Sequence, residues 1–208
     1  APDIYLEVIP LFVDESGSLT WTRNGRICDW MVKMKRIPEE EMLDYAIRHC
    51  KVPEQQVLPA ALHLVQFYLR LEPIKTATDL FLKNSESEIM AISGELENPG
   101  YTLPVSVCRS IKDYLLTFIR ENRSLFGARI NNGWIREVHG DLRPEHIRIG
   151  PEPAVIDCLE FSRELRIMDV AGELAYLDME CEMMGDPKTG KLFLHTWIRK
   201  SGAQISEA

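Results

Sequence analysis

The segment 138–161, VHGDLRPEHIRIGPEPAVIDCLEF, constrains the fold more tightly than any other stretch of the chain. Ile147 and Ile149 alternate with Arg148, which is the period of a half-buried strand. Gly150, Pro151, Glu152 and Pro153 then supply a cluster of turn formers, and Ala154, Val155 and Ile156 follow as a second short apolar run. These pieces predict a β-hairpin. With a four-residue turn at 150–153, Ile149 faces Ala154, Ile147 faces Ile156, and His146 faces Asp157. Opposed residues on antiparallel strands lie about 4.5–5.5 Å apart at Cα. His146 and Asp157 are therefore expected at the hairpin mouth, beside a loop that carries His139, Gly140 and Asp141. Two carboxylates and one imidazole at one spot outline a metal and phosphate site. Each acid also has a plainer reading, Asp141 as a loop N-cap and Asp157 as a turn former at a strand end. A hairpin shifted by one residue would send His146 and Asp157 to different partners.

Upstream, residues 4–13 (IYLEVIPLFV) are rich in β-branched and aromatic side chains and predict a strand. Turn material at 14–18 and at Asn24-Gly25 leads to 26–34 (RICDWMVKM), a second strand expected antiparallel to the first. Pro38 and the acids Glu39, Glu40 and Glu41 form a helix start, with negative charge at the positive end of the dipole. Pro53-Glu54 opens another helix, in which Val57, Ala61, Val65 and Leu69 recur every fourth residue beside Leu58 and Leu62, a core-facing stripe. His63 falls next to that stripe and reads as structural. The pattern weakens over 76–104, where 84–88 and 95–100 read as loop around one short helical stretch. Val107, Ile111, Leu115 and Phe118 then predict a long central helix running to about Phe126. Val170, Leu174, Leu177 and Cys181 mark a buried helix begun by Asp169, whose plain reading is an N-cap worth about 1 kcal/mol. Residues 191–200 read as a last helix and 201–208 as a loose tail.

The 208 residues suffice for one domain or two small lobes. A net charge of −8 argues against non-specific binding to nucleic acid or to an anionic membrane, and leaves a cationic small substrate open. No apolar run is long enough for a membrane-spanning helix, so no membrane partner is expected. The five cysteines are odd in number and include no C-x-x-C, which fits reduced thiols in a cytoplasmic protein better than disulfides or zinc. Cys158, beside Asp157, reads as a small buried residue.

The run H-G-D-L-x-P-E-x followed by hydrophobic-I-D resembles the catalytic loop and metal-binding acid of the kinase-like phosphotransferases, which include aminoglycoside phosphotransferases, choline kinases and, more distantly, protein kinases. The chain is more closely similar to a bacterial aminoglycoside-phosphotransferase-like family of uncharacterised members. That family's pattern runs I-R-E-x-H-G-D-L, then D-x-[IL]-E-F, then D-V-x-x-[ED]-[LV]-A-[YF]-L, found here at 135–142, 157–161 and 169–177. The resemblance implies an α+β, protein-kinase-like fold. Residues 1–37 would be the remnant of a small antiparallel nucleotide lobe with its hinge, and 38–208 a mostly helical large lobe. It implies an ATP-dependent transferase, a small-molecule kinase using Mg²⁺, with Asp141 as catalytic base and Asp157 holding the ion against the phosphates. His146 stands where the family carries Asn, its second metal ligand, although Mg²⁺ prefers oxygen donors. The backbone of Lys33, Met34 and Lys35 would face the adenine. His139 and Asp169 would support the loop, and Glu160 would stand at the pocket edge, where a surface carboxylate is the plainer reading.

Neither G-x-G-x-x-G nor G-x-x-x-x-G-K-[ST] occurs, and no strand lysine is followed by a helix with a partnering glutamate. In the family these elements lie just before the segment that begins here at Ala1, so the resemblance implies an incomplete form of the enzyme. The alternative expectation is a catalytically inactive kinase-like domain that binds or scaffolds.

Overall fold

A computed structural model describes residues 3–23 and 25–204. It is an α+β fold in which the strands lie mostly at the start of the chain and the helices after it. The expected turn residue Asn24 and the tail beyond Gln204 lie outside the described residues.

Strand β1 (Tyr5–Val13) pairs antiparallel with β3 (Arg26–Met34) and, at its far end, with the two-residue β2 (Leu19–Thr20). The sheet order is β2-β1-β3, as the two β-branched runs predict. One face of this sheet is largely open, with Val8 and Trp30 about three-fifths exposed. A 3₁₀ turn at Glu39–Glu41 follows, and then α1 (Leu43–Arg48), where the acidic run predicts a helix start.

The core forms around α2 (Glu54–Arg70), α6 (Val170–Met183) and α7 (Thr189–Ser201). Val57, Ala61 and Val65 of α2 are buried, and Val170, Leu174, Leu177 and Cys181 of α6 are fully so, as their spacing predicts. Tyr68 and Trp134 both meet the Trp197 ring edge-on, at 5.9 and 5.6 Å between centroids. At Gly190 a Cβ would stand 2.2 Å from the Asp178 Cα, so glycine lets α7 close onto α6. Among the described residues no helix is long and apolar enough to cross a membrane.

Two expectations about the middle of the chain are corrected. Residues 84–88 are not loop but the interior of α3 (Thr78–Leu96). Serine disfavours helices because its hydroxyl competes for backbone groups, but here the competition is absorbed within the helix. Ser85 donates to the Phe81 carbonyl at 3.1 Å and Ser87 to the Lys83 carbonyl at 2.8 Å. The expected central helix breaks at Asn122 into α4 (Val105–Glu121) and α5 (Arg123–Asn131). Nor is it central. Val107 and Ile111 are 51% and 55% exposed, and Ile119 is the one buried residue of α4. Apolar periodicity states which face of a helix is sticky, not what covers it.

The two kinds of apolar helix should respond differently to mutation. Leu177→Ala is expected to cost about 2–5 kcal/mol of unfolding free energy. Ile111→Ser is expected to change it by under about 0.5 kcal/mol. Urea denaturation midpoints compare the two directly.

Candidate active site

Strand β4 (Ile135–Glu137) pairs antiparallel with β7 (Ile167–Asp169), and this pairing sets the loop that follows β4 against the first turns of α6. Glu173, only 1% exposed, lies there. Its carboxylate accepts the Gly140 amide at 2.6 Å and the Tyr68 hydroxyl, which binds from α2. Burial pushes the Glu173 carboxyl up, opposed by these donors and by the nearby His139 amide. Burial beside Glu173 also keeps the Tyr68 phenol protonated. Gly140 adopts φ +86°, and a Cβ there would meet Arg166 Cγ at 2.9 Å and Leu159 Cβ at 3.1 Å. Glycine is required at this position by conformation and by space.

Asp169 does not support the loop backbone as expected. Its two oxygens receive the Arg129 guanidinium at 2.6 and 2.7 Å, and one caps α6 through the Ala171 amide at 2.8 Å. The N-cap reading holds, and the loop contact belongs to Glu173, one turn further along. The sequence carried that signal as an acidic residue on the apolar face of a helix, one residue before Leu174. His139 does tie the loop to the hairpin: its Nε2 donates to the Ile156 carbonyl at 2.7 Å, and its own carbonyl accepts the Leu159 amide at 3.0 Å. Burial holds its imidazole below the usual histidine range, so the ring is neutral.

The hairpin forms with a register one residue from that expected. Strands β5 (Ile147–Arg148) and β6 (Ala154–Val155) pair Ile147 with Val155 and Arg148 with Ala154. Neighbouring elements take the next amides: Ile149 N–H donates to the Glu41 carbonyl at 2.8 Å and Gly150 N–H to the Gln56 carbonyl at 3.0 Å. Ile149 therefore joins the turn. His146 now faces Ile156, whose amide donates to the His146 carbonyl at 3.0 Å. The slip should have separated His146 from Asp157, but it does not. Asp157 turns into the left-handed region at φ +61°, and its amide donates to the Tyr5 hydroxyl at 2.8 Å. That bend swings its carboxylate back to 3.5 Å from His146 Nε2. On the other side of the ring, Nδ1 lies 2.8 Å from the Asp141 carbonyl and 3.9 Å from Asp141 Oδ2. The three side chains singled out in the sequence therefore converge, with the imidazole between the two acids.

A cleft of about 1310 Å³ opens beside them. Its walls include Ile4, Tyr5 and residues 35–38 on one side, His63, Leu64 and Phe67 of α2 on another, and His139, Asp157 and Glu160 at the site end. Cys158 also lines it and is exposed, not buried as expected, because the bend at Asp157 carries the following residue outward. Of Lys33, Met34 and Lys35, the cleft reaches only Lys35. Lys33 pairs with Glu7 across the sheet at 2.7 Å, and the Lys35 amide already donates to the Ile4 carbonyl at 2.8 Å. These pairings correct the expectation that all three residues face a nucleotide base.

Asp141 and Asp157 lie on opposite sides of the His146 ring, so the three side chains do not all face one ion. Among the described residues no three His, Cys, Asp or Glu side chains are grouped so as to cage a metal by themselves. Asp157 and His146 Nε2 are the pair placed to hold an ion. With its apolar Leu64, Phe67 and Val155 surfaces, the cleft is also roomy enough for a nucleotide; small-molecule sites usually span about 300–1,000 Å³.

No family model matches this chain, and no solved structure gives a significant match. It is similar to an uncharacterized protein of Mycobacterium tuberculosis and to one of Mycobacterium bovis, each 37% identical over 97 residues. The matched stretch is 46% of this chain but 20% of each relative, so the similarity spans about a fifth of their length.

The buried carboxylate gives the site a pH signature. Burial raises the folded pKa of Glu173 above its unfolded value, so this group favours the fold most at low pH, and that contribution is lost as pH rises through the folded pKa. Glu173→Gln keeps an acceptor for the Gly140 amide and removes the charge. The stability advantage of the native chain over this variant should be greatest below the usual carboxylate range and decline toward neutral pH. Chemical denaturation across pH 4–8 checks the sign.

Proposed function

We propose that this chain carries the catalytic loop and metal-binding acid of an ATP-dependent phosphotransferase with a protein-kinase-like fold, acting on a hydroxyl of a small molecule. The observation that supports this reading best is the convergence of Asp141, His146 and Asp157, of which Asp157 lines a large cleft that also takes in the junction of sheet and helices at residues 35–38. Phosphoryl transfer requires little covalent chemistry from the protein. It requires in-line positioning, charge neutralisation and a group to take the proton of the attacking hydroxyl.

Asp141 suits the last role. Its carboxylate is 37% exposed, so a substrate can reach it, while its carbonyl is fixed by His146. Asp157 is more open still, at 72%, and its αL backbone aims the carboxylate across the site. Strain of this kind at a non-glycine residue clusters at functional positions. A divalent ion, when bound by Asp157 and His146, would supply positive charge at the phosphates. The protein's own residues then hold the geometry: Glu173 fixes the loop, His139 fixes the hairpin against it, and Tyr5 secures the Asp157 backbone.

One observation favours the second reading, a kinase-like binding or scaffolding domain without turnover. Several cations lining the cleft are already paired, Arg148 with Glu41 and both Arg163 and Arg166 with Glu137. They are poorly placed to receive phosphates unless those pairs open.

Metal-dependent ATP consumption with a panel of hydroxyl substrates separates the readings. On the enzymatic reading, Asp141→Asn lowers turnover at least about a hundredfold, the usual contribution of a positioned general base, with no change in melting temperature. Turnover equal to that of the native protein would remove Asp141 from the mechanism. ATP binding without turnover in the native protein would favour the scaffold.

A further inference from the structure

We infer that the metal position formed by Asp157 and His146 selects a nitrogen-tolerant first-row divalent ion, of the Mn²⁺, Co²⁺ or Zn²⁺ class, over Mg²⁺, with His146 Nε2 as a direct ligand. The inference rests on the proposed phosphotransferase site and adds the identity of its cation.

The argument begins with the tautomer. A backbone carbonyl only accepts, so the ring nitrogen 2.8 Å from the Asp141 carbonyl must carry the hydrogen. That nitrogen is Nδ1. Nε2 is then the nitrogen that faces the Asp157 carboxylate. The two stand 3.5 Å apart, which is longer than the 2.7–3.2 Å of ordinary nitrogen–oxygen hydrogen bonds. The spacing instead suits two ligands of one cation. Donors each about 2.0–2.1 Å from a shared ion stand about 3–3.5 Å apart.

The rest of the arrangement belongs to a ligand histidine. Metal-binding imidazoles generally donate their second N–H to a carbonyl or carboxylate, which fixes the ring and raises its basicity. His146 does this through Nδ1. Its side chain is 12% exposed, so the ring is held and has little freedom to swing away. Mg²⁺ is a hard ion that favours oxygen and loses its waters reluctantly, whereas imidazole is a favoured ligand of the later first-row ions. Asp157, 72% exposed and lining the cleft, leaves room on its side for waters or phosphate oxygens.

The chain's four other histidines could bind such ions weakly, so the test is a difference. The probe is Mn²⁺ alone, titrated into the full chain and into His146→Asn, with binding followed by electron paramagnetic resonance and nitrogen coupling by electron spin echo modulation. The native chain should give one tight Mn²⁺ with imidazole nitrogen coupling. His146→Asn should lose that coupling and weaken Mn²⁺ by at least about tenfold, since even outer partners of a ligand are worth 10–100-fold. Competition by Mg²⁺ should become more effective in the variant. Asp157→Asn should lose the tight site as well. Native Mn²⁺ binding without nitrogen coupling, or equal affinity in His146→Asn, overturns the inference. These readouts need no turnover, so a chain that binds Mn²⁺ through His146 yet transfers phosphate from ATP to none of the hydroxyl substrates would sink the phosphotransferase reading and leave this one standing.

Discussion

A buried carboxylate that accepts a backbone amide joins the helical core to the loop on which the site depends. Glu173 lies among residues that are otherwise apolar, and desolvating its charge costs several kcal/mol. Hydrogen bonds to a charged group are worth about 1.5–3 kcal/mol each, so the Tyr68 hydroxyl and the Gly140 amide offset part of that penalty, and the carboxyl stays above its ordinary range. The result is a loop pinned from two helices at once. Removing either donor would leave the carboxylate underpaired in the core, and for that reason the geometry of the loop and the packing of α2 against α6 cannot vary independently.

From that anchor the remaining contacts spread outward in a fixed order. Gly140 turns through positive φ because nothing larger fits between Arg166 and Leu159. His139, held neutral by burial, donates to the hairpin and thereby sets the distance between the loop and residue 156. Glu137, just before the loop, receives Arg163 and Arg166, and the latter also donates to the Leu159 carbonyl at 2.5 Å. These ion pairs form a polar wall along the cleft, opposite the apolar face of α2. The small sheet meets the site through Tyr5, whose hydroxyl takes the amide of a backbone turned in an uncommon direction. Sheet and helical body therefore share a polar contact at Asp157.

That arrangement suits a site that must bring separate charges together only when a ligand is present. Asp141 and Asp157 stand on either side of the His146 imidazole, and among the described residues neither is paired with an arginine or lysine. The cations near the cleft are instead committed to glutamates. A cation and a polyanion arriving together would satisfy both sets at once, which gives the proposed function its physical sense. The relatives in two mycobacteria share 37% identity with part of this chain, and the matched part is a minor share of their length.

Much of this was legible in the residues themselves, because it depends on local periodicity and on turn chemistry. The two β-branched runs determined the antiparallel pair, the four-residue spacing of Val57, Ala61 and Val65 determined a core helix, and Gly150 to Pro153 determined that a hairpin would form. Tertiary structure decided what local rules leave open. It moved the hairpin register by one, because Glu41 and Gln56 carbonyls captured the amides of Ile149 and Gly150. It then restored the contact through the left-handed turn of Asp157, a conformation stabilised by a tyrosine 152 residues away in sequence. It gave the loop contact to Glu173 and not Asp169, since the pairing of β4 with β7 places Asp169 beside Arg129 and Glu173 one turn nearer the loop. It also left the α4 stripe open to solvent. A sequence specifies which groups need partners; which partner each one meets depends on distances that only the folded chain sets.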